Sequence, residues 1–132
     1  MQKQTWRTEA RAALVAWPTL REELWERQKT KITADYFPSP KGGNGTRSVV
    51  RAALRQLPKK DQLRYDAVNH ALRMQDGLSA PAKRRKLAEM VYFRRTHTLL
   101  GAAIELEISE ETAKRWNADL LLLTWSWLRS RI

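Results

Sequence analysis

The chain of 132 residues has no cysteine at all. A disulfide framework and a thiolate metal site are thereby excluded, and a reducing cytosol is the compartment this composition fits. Histidine is almost as scarce. His70 and His97 stand far apart without paired carboxylates nearby, which argues against zinc or acid–base chemistry. No other catalytic set is visible, so neither an enzyme nor a cofactor is expected. Long apolar runs are missing too: Leu120–Leu123, like every other run, is far short of a membrane span. No apolar signal-peptide core stands at the N-terminus. Acidic residues are the minority charge, 14 against 25 Lys and Arg, giving a net charge of +11. Such an imbalance points to a polyanionic partner, of which nucleic acid is the commonest.

Glycine and proline number only five each, and they concentrate in "DYFPSPKGGNGT", residues 35–46. That density predicts a linker. A phosphate-cradling loop would need Lys and then Ser or Thr after its last glycine, following a strand, and neither condition is met. Alternation of period two never persists beyond a few residues, so the fold is expected to be all-α, with about five to six helices. Trp6, Ala10, Ala13, Leu14 and Trp17 lie on one helical face, and Leu20, Leu24, Trp25, Gln28 and Ile32 continue the spacing. Pro18 between them either starts a second helix or kinks the first. Thr46 is an N-cap candidate for a helix through Val49, Val50, Ala53, Leu54 and Leu57. Beyond Pro58 a further helix carries Leu63, Ala67, Val68, Ala71 and Leu72, with Gly77 as its stop. Ser79 and Pro81 then open a helix whose stripe is Leu87, Met90, Val91 and Tyr92 or Phe93. The expected organisation is a basic helical arm at 1–36, a Pro/Gly linker at 37–46 and a helical domain at 47–132.

Residues 98–120 have the spacing of a helix-turn-helix. Thr98 caps a short helix, Ala102 and Ala103 are small where two helices would cross, and the turn falls at Glu107–Ile108. Ser109 caps the next helix, in which Ala113, Trp116 and Leu120 face inward. The turn position often holds glycine. Glu107 there would cost roughly 1–2 kcal/mol in a left-handed conformation. Outward positions are Glu110, Glu111, Lys114, Arg115, Ala118 and Asp119. The bland alternative is a hairpin that serves only the core, and the charge distribution sharpens the choice. Residues 1–60 carry +8, residues 61–96 carry +4 and residues 97–132 carry −1.

The stretch "LAEMVYFRRTHTLLGAAIELEISEETAKRWNADLLLL", residues 87–123, resembles the RinA-type phage transcriptional regulators, relatives of the ArpU group. The likeness lies in the Tyr92 region, "THTLLGAA", Ser109, Thr112, Ala113, Lys114, Arg115 and Trp116. A basic Trp-bearing helix, an "SP…GG…T" linker and another helix upstream are also similar to that family, though only the C-terminal third is specific. The resemblance implies a phage-encoded DNA-binding regulator acting in the bacterial cytoplasm. Such a protein would activate late packaging and structural genes through a helix-turn-helix similar to a sigma-factor region.

On this reading Ser109, Thr112, Lys114 and Arg115 approach double-stranded DNA. Lys83, Arg84, Arg85 and Lys86 of "KRRK", with Arg94 and Arg95, hold phosphates. A merely solvated helix face is the competing account of that basic run. The six tryptophans are read as core rather than as base-stacking platforms. Around Trp125, Trp127 and Leu128 the apolar surface exceeds one stripe, which makes this helix either central to the domain or a homodimer interface. A small terminase subunit that recognises DNA for packaging is one rival function. A phage protein that binds a host enzyme such as RNA polymerase is the other.

Overall fold

The computed structural model describes residues 5–35 and 56–131. The linker expected at 37–46 and most of the helix expected after Thr46 lie outside them. Five α-helices and no strand occur among the described residues, so the fold is all-α. They are α1 (Thr5–Asp35), α2 (Lys59–Gln75), α3 (Pro81–Ala88), α4 (Leu99–Glu105) and α5 (Glu110–Arg129). A π-helical turn, Glu89–Phe93, continues α3.

α1 runs through Pro18 as one helix. Its buried residues Ala10, Ala13 and Leu14 follow the i, i+3, i+4 spacing of one face and pack against α2 and α5. The segment expected as an arm, residues 1–36, therefore contains a helix that is built into the core. Farther along α1 the stripe fails: Trp25 is 62% exposed. Trp17 is anchored on two sides, its indole donating to Asn69 Oδ1 at 3.1 Å and its ring 4.7 Å from Phe93.

α5 is the centre of the molecule. Ala67, Val68, Ala71 and Leu72 of α2 meet Leu120, Leu121 and Leu128 in one cluster with the α1 face, Ala88 and Tyr92. Of the leucine run, Leu120 and Leu121 are buried, Leu123 is half-buried and Leu122 is exposed. Packing against α1 and α2 together accounts for an apolar band wider than one stripe. Thr124 is fully buried at no polar cost, because its hydroxyl donates to Leu120 O at 2.9 Å. A second, smaller cluster joins Leu87, Ala102, Leu106 and Trp116, with Met90, Val91, Leu99 and Ile108 around it. Since α5 contributes to both clusters, its N-terminal half is tied to the bulk of the fold.

The ends of α2 and α3 depart from the simplest expectation. Gly77 follows α2 but takes no positive φ; the left-handed residue is Ala80, at φ 48°, immediately before Pro81. Pro81 occupies the first helical position, where its missing N–H costs nothing.

Candidate nucleic-acid interface

Thr98 Oγ1 accepts a hydrogen bond from Gly101 N at 3.0 Å and so caps α4. Ala102 and Ala103 are buried, and their size lets α4 lie close on α5. The turn between these helices has a defined chemistry. Glu107 N donates to Ile104 O at 3.2 Å and Ile108 N to Ala103 O at 3.0 Å, the two bonds of a Schellman stop. That stop requires a left-handed residue just past the helix end, and Glu107 supplies it with φ 58°. The strain expected there from the sequence is present. Ser109 Oγ then accepts from Thr112 N at 3.1 Å and donates to Thr112 Oγ1 at 2.7 Å. Both hydroxyls hold the start of α5.

At 100° per residue, Asn117 and Asp119 stand about 200° apart around α5. Glu111, Lys114, Arg115 and Ala118 occupy the arc between them, and the buried Ala113, Trp116 and Leu120 occupy the opposite arc. Lys114 is exposed and lies 3.4 Å from Glu110, an i, i+4 pair of little energy in water. Arg115 is exposed and has no ion pair among the described residues. Thus Lys114 and Arg115 face solvent as expected, while Ser109 and Thr112 are used mainly as a cap.

The "KRRK" run divides. Arg84 is only 6% exposed and is fully engaged. Its Nε donates to Ser79 O at 2.7 Å, one terminal nitrogen to Asp119 Oδ2 at 3.1 Å and the other to Ser79 Oγ at 3.3 Å. The guanidinium carbon sits 4.9 Å from the centre of the Trp116 ring. Arg84 is therefore removed from the expected phosphate contacts: it fastens α3 to α5. Arg85 pairs with Asp76 at 2.8 Å, and Arg94 lies 3.7 Å from Glu89. Lys83, Lys86 and Arg95 are exposed and carry no ion pair among the described residues, with Arg95 left-handed at φ 55°.

Protein-family models, curated proteins and solved structures offer no match to this chain.

The other flank of α5 carries a polar cluster that local sequence patterns do not announce. The buried Tyr92 hydroxyl donates to Asn117 Oδ1, linking the π turn to α5. Burial raises the Tyr92 pKa above its ordinary 10.0, opposed by the charge and hydrogen bond of Arg11, by the Asn117 bond and by the charge of Arg7. Arg7 and Arg11 are exposed one turn apart on α1. Helical spacing alone makes them two of many surface arginines. The signal that singles them out is the meeting of α1 with α5, which no local spacing reveals.

No three His, Asp or Glu side chains gather as a metal site among the described residues. No described helix is long and apolar enough to cross a membrane.

Proposed function

We propose that this chain is a sequence-specific DNA-binding protein that presents the N-terminal half of α5 to the major groove. Its role is that of a phage transcriptional regulator of the RinA/ArpU type it resembles, acting on late genes. The observation that carries this reading is the α4–α5 hairpin. A Schellman stop and a serine cap fix its turn, and an outward row containing Lys114 and Arg115 is left uncovered. Helices of such hairpins meet base edges with their N-terminal residues, while surrounding cations meet phosphates. Glu110 and Glu111 complement the helix dipole. They also lower non-specific attraction, so α5 discriminates and the basic elements around it supply affinity.

Arg115→Ala tests the assignment. Binding to the preferred site, identified by retaining and sequencing fragments of the source phage genome, should fall by about 1–3 kcal/mol, with a smaller loss on random DNA. Equal losses on both would reduce Arg115 to a phosphate contact. Absence of any enrichment at low salt would end the DNA reading.

One observation favours a protein partner as a second reading. Leu100 and Ile104 are exposed one turn apart on α4, Ile104 to 71%. A host protein such as RNA polymerase would cover them, in a complex indifferent to changes at Lys114 and Arg115.

A further inference from the structure

The two sides of the exposed row on α5 are held by different elements. On the Asp119 side stands α3, fastened through Arg84, with Lys83 and Lys86 exposed on the same helix. On the Asn117 side stands α1, which packs against the π turn and α5, with Ala10 in one cluster with Tyr92 and with Arg7 and Arg11 exposed beside that face. Arg11 is exposed, and its guanidinium offers five N–H groups to a phosphate. Arg7 also covers the Trp6 ring at 5.1 Å, a contact to its face that leaves its edge donors open. Neither arginine has an ion pair among the described residues.

We propose that Arg7 and Arg11 form a second phosphate-binding flank, opposite that of Lys83 and Lys86, so that the protein straddles the major groove. The ligand is the phosphodiester backbone of duplex DNA, and the inference rests on the function proposed above. An α-helix with its side chains measures about 10–12 Å across, and the major groove is about 12 Å wide. A helix seated in that groove therefore has a phosphate ridge on each side. Cations on both flanks of α5 face the two ridges, whereas cations on α3 alone would face one. The arrangement also assigns Tyr92 a positioning role: it packs with Ala10 of α1 while its phenol donates to Asn117 of α5, setting the distance between flank and row.

The test is the salt dependence of duplex binding by the full chain. Neutralising a cation that holds one phosphate makes the slope of log K against log[salt] shallower by about 0.9. Arg7→Gln should reduce the slope by about 0.9, and R7Q/R11Q by about 1.8, equally on preferred and random duplexes. R7K/R11K, which keeps both charges, should retain the slope. Arg7→Gln provides a form in which Arg11 and the Tyr92–Asn117 bond are unaltered, and thermal unfolding verifies that it is folded. An unchanged slope in folded Arg7→Gln and R7Q/R11Q, with tight binding by the unaltered chain, overturns the second flank and leaves the DNA function standing. A loss confined to the preferred site also overturns it, because phosphates carry no sequence. Failure of the unaltered chain to bind duplex DNA at low salt instead refutes the function itself.

Discussion

Arg84 and Asp119 form a pair whose two ends should respond unequally to mutation. Arg84 is 6% exposed, whereas the Asp119 side chain keeps 38% of its surface in solvent. Removing Asp119 strands a buried guanidinium with only Ser79 as hydrogen-bond acceptor. Breaking a buried pair in this way costs about 3–5 kcal/mol, and the partial exposure of Asp119 puts this case near the lower bound. Arg84→Ala removes the charge itself but also the bonds to Ser79 and the stacking on Trp116. With about 1.5–3 kcal/mol for hydrogen bonds to a charged group and about 1 for the ring contact, the loss is again near 3 kcal/mol. Arg84→Met separates the contributions. It retains most of the packing on Trp116 and leaves a hydrated Asp119, but it loses the same hydrogen bonds, so the cost should be about 2 kcal/mol. The expected order is Asp119→Ala and Arg84→Ala together, about 1 kcal/mol above Arg84→Met, as read from urea unfolding midpoints at constant m. In thermal unfolding the large losses correspond to a fall of about 12 °C, at about 4 °C per kcal/mol. Under the proposed function, Arg84→Met should also leave the salt dependence of DNA binding unchanged. If Asp119→Ala costs less than about 1 kcal/mol, or if Arg84→Met reduces the slope by the amount of one phosphate, the reasoning fails and Arg84 returns to the phosphate-binding set.

Other expectations follow from the turn and from the phenol. Glu107→Gly should stabilise the protein by about 1 kcal/mol, since relief of left-handed strain exceeds the added entropy of the unfolded chain. A lower unfolding midpoint would show that the Glu107 side chain gains more than its backbone loses. For Tyr92 the folded pKa is the raised one, so the folded chain holds the phenolic proton more tightly than the unfolded chain does. The resulting stabilisation is present below the unfolded value and is lost as pH rises through the folded one. The stability advantage over Tyr92→Phe should therefore shrink above about pH 10, as measured by denaturant unfolding of both proteins across the alkaline range. A constant gap would refute a buried phenol.

Local chemistry was legible wherever its partners lie within a few residues. The Thr98 and Ser109 caps, the small Ala102 and Ala103, and the inward Ala113, Trp116 and Leu120 follow directly from helical spacing and N-cap chemistry. Partners distant in sequence were not legible. Arg84 belongs to a run of four basic residues, and nothing nearby separates it from its neighbours. Its environment comes from Asp119 and Trp116, which α5 brings to it. Trp25 shows the opposite error, because apolar spacing extends along α1 to a residue that is 62% exposed. The π turn was also unreadable, since one wider turn leaves no fixed residue signature.

Ala10 of α1 and Leu121 of α5 share one cluster although they come from opposite ends of the described chain. Such a long-range pairing exacts the loop entropy of everything between before burial returns anything. It also imposes an order in time. While the chain is being synthesised, the arginines of α1 and the lysines of α3 emerge before the helix that is to lie between them. Until α5 has docked, the nascent protein holds scattered positive charge with no rigid row to discriminate by. Under the proposed function, attraction to DNA precedes recognition of a site, and the docking of α5 turns one into the other.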